Sequence, residues 1–374
     1  MRGRGVRHLY VHLPFCAHRC GYCDFVTSVG REAEHAPYAE ALVRELEREG
    51  GVLADRVETV FLGGGTPTFM QPDALRSLLE ALPAADEITV EANPETVTPS
   101  LAALLREHGV NRISLGAQTF QPRLLEVLGR VAGPDDVRRA VHTLRDAGFD
   151  NNSLDLIYGI PGESPADLEA DLAEALALET EHLSLYELEA KPGTRFTHAW
   201  GEELRLQAEA MEDYFERVVD VLTGAGLRWY ETANFCRPAA QRDGRDLRAQ
   251  HNLGYWRGCD YLGIGVGAVS TVAGVRRRNL PPLGAYVRAL MGGEAAPHEV
   301  EELDGATRAV ERVMLGLRLD EPLPLAGLDD VVDGDALERL CARGLVERVG
   351  GDAISLTRHG RLLGDGVTVE LLRD

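Results

Sequence analysis

The chain has 374 residues and carries 39 Lys and Arg against 60 Asp and Glu, a formal net charge of −21. That balance argues against a general nucleic-acid binder, whose phosphate contacts need clustered cations, and Arg276, Arg277 and Arg278 form the one compact basic run. No apolar run approaches the ~18 residues of a spanning helix, and six cysteines are too few for a disulfide scaffold of this length.

The opening stretch, MRGRGVRHLYVHLPFC, places basic residues before an apolar segment, but His8 and His12 interrupt it and no small-residue cleavage site follows. It reads as mature structure with no membrane anchor, and the expected compartment is the reducing cytoplasm. From residue 8 to residue 189 strand-like and helix-like stretches then alternate. The strands are His8–Pro14, Val57–Leu62, Glu87–Glu91, Arg112–Gln118, Ser153–Ile160 and His182–Glu187, short and bounded by Gly, Pro or Asn. Between them lie helical patterns at Tyr38–Glu49, Pro72–Leu82, Leu101–His108, Leu124–Leu128, Asp135–Ala147 and Pro165–Leu178.

Such alternation implies an α/β fold with a parallel sheet, because parallel neighbours need crossover connections. Periodicity does not settle closure, and a full barrel, a partial barrel and a doubly wound sheet stay open. In all three, ligands collect at the carboxyl ends of the strands. The unexpected polar and glycine residues sit there: Gly63-Gly64-Gly65-Thr66-Pro67, Glu91, Asn93, Gln118 and Asp155. A strand built only for a core has little use for Glu, Gln or Asp, since a buried charge needs a partner.

After residue 195 the alternation stops. A long helix is expected over Leu204–Leu222, a strand over Arg228–Phe235, an irregular polar stretch over Arg237–Gln250 and a glycine-rich strand over Leu262–Ser270. The last seventy or so residues read as a small module resembling a winged helix, with helices near Ala306–Leu317 and Ala336–Arg343 and a hairpin of Leu345–Arg348 with Ala353–Thr357. The acidic, helix-periodic stretch from Glu163 to Glu181 reads as a solvated face, and Cys236, Cys259 and Cys341 as buried or half-buried thiols.

Half of the cysteines, Cys16, Cys20 and Cys23, fall within eight residues just after the first strand. Three thiolates so spaced suit a soft metal. Zinc completed by His12 or His18 and an iron–sulfur cluster with one open iron both remain on spacing alone.

Cys16-x3-Cys20-x2-Cys23, with Tyr22 before the last cysteine, resembles the radical S-adenosylmethionine (SAM) superfamily. The resemblance implies a (β/α)6 partial TIM-type barrel, a [4Fe-4S] cluster on the three cysteines and SAM bound at the open iron. There one electron cleaves SAM to methionine and a 5′-deoxyadenosyl radical. It extends through Gly63–Thr68, Glu91–Pro94, Leu115–Phe120 and Asp155–Pro161, which are similar to successive blocks of the coproporphyrinogen III dehydrogenase branch. By that likeness Tyr10, Tyr22, Gly65, Thr66, Glu91, Gln118, Arg130 and Asp155 contact SAM.

Two departures point away from the dehydrogenases. They carry a fourth cysteine two residues beyond the third, where this chain has Phe25, and an extended segment before the cluster motif, which here is reached by residue 16. These features, with His251-Asn252-x-x-Tyr255-Trp256, resemble the HemW family of heme chaperones. That resemblance implies heme as cargo, apo-heme proteins as recipients and no nucleic-acid partner, and it leaves a homodimer open. His251, Tyr255 and Trp256 then read as a heme site with an exposed or labile imidazole ligand, or alternatively as a latch over the barrel mouth. The alternatives are an oxygen-independent coproporphyrinogen III dehydrogenase and a zinc-stabilised α/β binding protein. The expected division is a barrel over residues 1–195, a linking region with the His251 motif over 196–300 and the winged-helix-like module over 301–374.

Overall fold

The computed structural model describes residues 5–189, 195–241 and 244–373. Six strands form its centre: β1 (His8–Leu13), β2 (Val57–Gly64), β3 (Ala85–Ala92), β4 (Arg112–Gln118), β5 (Asn152–Tyr158) and β6 (His182–Glu187). They lie side by side in chain order and are all parallel. Because the order never reverses, every crossover steps in the same direction, which is barrel-type winding and not the doubly wound alternative. The crossovers carry α1 (His35–Glu49), α2 (Pro72–Ala81), α3 (Pro99–Glu107), α4 (Pro122–Leu128), α5 (Pro134–Asp146) and α6 (Pro165–Ala177).

Local chemistry sets these boundaries. Helices α2 to α6 all begin with proline in the first turn, where a missing N–H costs nothing. At α6 the Ser164 hydroxyl accepts from the Asp167 N–H while the Asp167 carboxylate accepts from the Ser164 N–H at 2.8 Å, so two end donors are satisfied together.

Beyond residue 195 the structure departs from expectation in three places. The single helix over Leu204–Leu222 is two, α7 (Arg195–Gln207) and α8 (Met211–Gly224), separated by a 3-10 turn at Ala208–Ala210. Met211 at the break packs over Gly159, where a Cβ would stand 2.5 Å from its sulfur. The strand over Arg228–Phe235 is a hairpin of β7 (Arg228–Glu231) and β8 (Asn234–Cys236), because the Glu231 carboxylate takes the Ala233 N–H and the Asn234 amide and turns the chain. The glycine-rich strand over Leu262–Ser270 is also two, β9 (Tyr261–Ile264) and β10 (Val269–Val272). Gly265 and Gly267 reverse it with φ of 102° and 69°, conformations open to glycine.

These strands extend the sheet at both edges. β8 and β7 follow β6, and β9 runs parallel to β1 ahead of β10, β11 (Val275–Asn279) and β12 (His298–Glu302). Among the described residues the outermost strands, β7 and β12, do not pair with each other. The short helix α9 (Gln250–Trp256) lies in the stretch between the two edges, and α10 (Leu283–Met291) packs on α1.

The C-terminal residues have an apolar cluster of their own, centred on Val313, Leu340 and Ile354. It joins α11 (Gly305–Gly316), α12 (Gly334–Ala342) and a sheet of β13 (Leu323–Pro324), β14 (Val346–Val349) and β15 (Ala353–Leu356). Helices α13 (Arg358–Leu362) and α14 (Gly364–Leu371) complete it.

One buried carboxylate ties the first helix to the far edge of the sheet. Glu45 accepts from Gly265 N at 2.8 Å, Asn279 Nδ2 at 2.7 Å and Tyr286 OH at 2.5 Å, and is 1% exposed. Replacing it with Ala strands three buried donors, and Glu45→Ala is expected to lose roughly 3 kcal/mol in urea unfolding, with Glu45→Gln losing less. An alanine variant within 0.5 kcal/mol of the parent would contradict this.

Candidate cluster and cofactor site

The cysteine loop leaves β1 at Pro14 and is stitched to the glycine run after β2. Leu13 O accepts from Gly65 N at 2.8 Å and Phe15 O from Thr66 N at 2.8 Å. A Cβ on Gly65 would lie 2.7 Å from the Pro14 carbonyl carbon, so only glycine permits this approach. On its other side the loop meets the end of α4, where Gly21 N donates to Leu128 O, and the Tyr22 ring joins Leu124, Leu128 and Phe196 in an apolar cluster.

A hydrogen-bonded circuit links two of the three sulfurs to three strand ends. Thr66 Oγ1 donates to Cys16 Sγ at 3.8 Å and accepts from Asn93 Nδ2 at 3.0 Å. Arg130 donates to Asn93 Oδ1 at 2.8 Å, to Gly116 O at 2.9 Å and to Cys20 Sγ at 3.6 Å. Burial pushes the Cys16 thiol up to about 11 and also raises Cys23, so a bound cation would be needed to hold them as thiolates. Among the described residues no three His, Cys, Asp or Glu side chains are drawn together as ligands of a single ion. The donor set suits a group larger than one ion, with sulfur ligands spread around it.

Below this circuit, inward-facing side chains line the barrel. Tyr10 OH meets His12 Nδ1 at 3.0 Å, and His12 Nε2 donates to Val26 O at 2.9 Å. Glu91 accepts from Gly64 N at 3.0 Å, and burial raises its carboxyl to about 7. Asp155 accepts from Ser114 at 2.8 Å and Ser153 at 3.1 Å, and burial raises it too. Gln118 holds a left-handed φ of 66° where the register of β4 against β5 shifts, a conformation that costs a non-glycine residue energy.

The structure thus gathers Cys16, Cys20, Cys23, Thr66, Gly65, Arg130 and Tyr22 around the loop, with Glu91 and Gln118 at the carboxyl ends of β3 and β4 and Tyr10 and Asp155 deeper, midway along β1 and β5. Sequence reasoning passed over His12 as a lining residue and gave Asn93 no role. The available signal was parity: His8, Tyr10 and His12, and likewise Glu87, Thr89 and Glu91, share one face of a strand.

The His251 motif lies elsewhere. It forms α9 at the amino ends of the strands, not over the mouth. His251 N and Gln250 N donate to Glu87, near the start of β3, each at 3.2 Å. The imidazole is 1% exposed, stacks on Phe61 and uses both nitrogens, Nδ1 with Thr59 Oγ1 at 2.7 Å and Nε2 with Tyr255 OH at 2.9 Å. Burial lowers its pKa to about 3. The expected exposed imidazole is therefore not present, because Thr59 inside the barrel and Tyr255 one turn along α9 take its two nitrogens. Trp256 is covered by Arg318, whose guanidinium carbon stands 4.5 Å from the ring centroid. Glu321 binds Arg248 at 2.6 Å and Arg257 at 2.7 Å, gripping α9 from both ends.

Two further corrections concern carboxylates and thiols. Glu163, Asp171 and Glu181 are buried, not on a solvated face: Glu163 accepts from Gly159 N and Ile160 N, Asp171 from Phe120 N, and Glu181 from Asn152 N. Cys259 is exposed.

Residues 10–175 match the family model of the radical SAM superfamily. In fold the chain is similar to coproporphyrinogen III oxidase (HemN) from Escherichia coli, a radical SAM enzyme, with a TM-score of 0.80 at 24% identity over 99% of this chain and 91% of that one. It is 36% identical to the heme chaperone HemW of Mycobacterium tuberculosis over 97% of this chain and 94% of that protein. For HemW of Bacillus subtilis the identity is 32%, over 97% and 98%, and for that of Escherichia coli it is 34%, over 95% of each chain. The chain belongs to the HemW family of the radical SAM superfamily.

Burial raises Glu163 to about 7 while its unfolded value is 4.5. The native state therefore holds the extra proton between those values, and its stability falls as pH rises through that window. Glu163→Gln keeps an acceptor and removes the titration. Its stability relative to the parent is expected to grow with pH from 4.5 to 7, by up to about 1.4 kcal/mol per unit in urea unfolding. A difference that does not change with pH would contradict this.

Proposed function

We propose that the chain is a cytoplasmic heme chaperone that carries a [4Fe-4S] cluster on Cys16, Cys20 and Cys23, binds SAM, and delivers heme to apo-heme proteins. The observation that carries the cluster assignment is the circuit from Cys16 through Thr66, Asn93 and Arg130 to Cys20. Donors aimed at sulfur stabilise anionic ligands, and three cysteines leave an iron open for a small molecule. When bound, the cluster supplies one electron to SAM.

The chain's own residues hold and orient. Tyr10, Tyr22, Gly65, Thr66, Gln118, Arg130 and Asp155 form the SAM surround, and Glu91 is the carboxylate for its ammonium group. Phe25, two thirds exposed, stands where the dehydrogenases carry a fourth cysteine, which supports the chaperone over the enzyme. In this reading residues 1–195 hold the cofactors, 196–300 complete the floor of the barrel, and 301–374 form the module that recipients approach. No helix among the described residues is long and apolar enough to cross a membrane.

Since Glu91 is raised to about 7, it is protonated below that pH and ionised above it. SAM affinity is expected to strengthen as pH rises through 7, and Glu91→Gln to weaken it about tenfold and flatten the dependence, read by calorimetry. Unchanged affinity and pH profile in the variant would remove Glu91 from the site.

The function itself is tested anaerobically with the full chain. After reconstitution we expect iron and acid-labile sulfide in equal amounts, lost in Cys16→Ala, and heme passing from the loaded chain to an apo-cytochrome. Formation of a decarboxylated porphyrin from coproporphyrinogen III with SAM and reductant would replace the chaperone by the dehydrogenase. An iron-free, zinc-loaded protein would overturn both.

A further inference from the structure

Inside the barrel, β5 and β6 set a row of buried polar side chains beside Asp155. Ser153 stands opposite His182 and Asp155 opposite Ser184, and none of Ser153, His182 and Ser184 is more than 3% exposed. The row runs on into the edge hairpin. His182 Nε2 lies 2.7 Å from Tyr230 OH on β7, His182 Nδ1 lies 2.8 Å from Ser153 Oγ, and Ser153 Oγ lies 3.1 Å from Asp155 Oδ1.

A group that can only donate fixes the direction of the protons along this row. The Ala249 N–H, immediately before α9, donates to Tyr230 OH at 3.1 Å. Among the described residues the phenol's own proton then has one acceptor within hydrogen-bonding distance, His182 Nε2. Accepting from both sides would leave that proton buried with no acceptor, since Tyr230 is fully enclosed. His182 is neutral, because burial holds its pKa well below the ordinary value. With Nε2 accepting, Nδ1 carries the ring proton and donates to Ser153 Oγ.

The Ser153 hydroxyl proton is thereby turned onto Asp155. Ser184 Oγ, the other acceptor near it, is farther at 3.4 Å and uncharged. Ser114 on β4 donates to the same carboxylate at 2.8 Å. Burial raises the Asp155 carboxyl, and hydrogen bonds from Ser114, Ser184 and Ser153 with the charge of Arg112 pull it back. Hydroxyls aimed in this way hold one orientation of the carboxylate and favour its charged form.

We propose that His182 is a positioning residue for SAM: with its tautomer set by Tyr230, it turns the Ser153 hydroxyl onto Asp155 and so presents that carboxylate to the cofactor as an acceptor. The assignment rests on the reading that Asp155 borders SAM, and it adds the residues that aim it. His182 itself touches no cofactor. Its contribution passes through one hydroxyl, and its direction is set by a backbone N–H at the start of the helix that closes the other end of the barrel.

The tautomer is read first, in the cluster-free full chain labelled with nitrogen-15 histidine, by long-range proton–nitrogen correlation spectra near neutral pH. The His182 ring is identified by its loss in His182→Asn. The parent is expected to carry the proton on Nδ1 alone, and Tyr230→Phe to release the ring into a mixture of both tautomers. SAM affinity is then measured by calorimetry on the cluster-reconstituted chain, with circular dichroism as a check on folding. His182→Phe should weaken SAM binding about tenfold, the loss of one donor aimed at a charged group. Ser153→Ala, which leaves the ring in place, should do the same. His182→Asn, whose amide N–H can take the place of Nδ1–H, should return affinity to within about threefold of the parent, a rescue that lost packing alone would not give. A parent ring protonated on Nε2, a folded His182→Phe or Ser153→Ala with the parent's affinity, or a His182→Asn no better than His182→Phe would overturn the assignment and leave the cofactor reading intact. A cluster-loaded parent that takes up no SAM would overturn both.

Discussion

A parallel sheet that curls one face inward must satisfy every polar group it sends there, because an unpaired donor or charge away from water is costly. In this chain the inward face is unusually polar, carrying His8, Thr59, Glu87, Arg112, Ser114, Ser153, Asp155 and His182, all buried or nearly so. The two ends of the barrel meet that demand differently. At the carboxyl end Thr66, Asn93 and Arg130 connect neighbouring strands to the sulfurs of the loop. At the amino end the chain returns after some sixty residues of other structure and inserts α9, whose first N–H groups are taken by Glu87 and whose imidazole is taken by Thr59.

The floor depends on three separated parts of the chain. Tyr230 on β7 donates or accepts at His182 Nε2 over 2.7 Å and receives the Ala249 N–H, bringing the edge hairpin to the start of α9. Arg318, Asp320 and Glu321, in the segment after α11, pair with Glu231, Arg228 and the arginines flanking α9. One short segment of the C-terminal region therefore borders both the sheet edge and the motif helix. Ion pairs and the Arg318–Trp256 stack thus tie that region to the floor.

Much of this was legible in the sequence where the determinants are local. The six central strands follow from short apolar runs bounded by Gly, Pro or Asn, and α6 from a helical apolar pattern that opens on Pro165. The cysteine loop and the glycine run stand out by residue type alone, and the structure brings them together. The parts not legible are those whose partners lie far away. Asn93 bridges Thr66 and Arg130, residues 27 before and 37 after it, and nothing near Asn93 announces either. His251 looked like an exposed ligand because its neighbours in sequence are aromatic, but its environment is set by Thr59, 192 residues earlier. Glu163 looked solvated because acidic residues at helical spacing usually are. Its actual task is to receive two N–H groups of the loop after β5, which only the fold places beside it. Gly265 and Gly267 read as part of one strand because a turn with two positive φ values leaves no apolar gap.

Everything proposed for the carboxyl end depends on a cluster with one open iron beside the strand ends, while α9 closes the amino end. The most direct measurement is electron paramagnetic resonance of the anaerobically reconstituted, reduced full chain with and without SAM. The predicted result is a [4Fe-4S] signal that shifts when SAM is added, because the open iron takes a new ligand. A cluster signal that SAM leaves unchanged, or no cluster on the three cysteines, would contradict it.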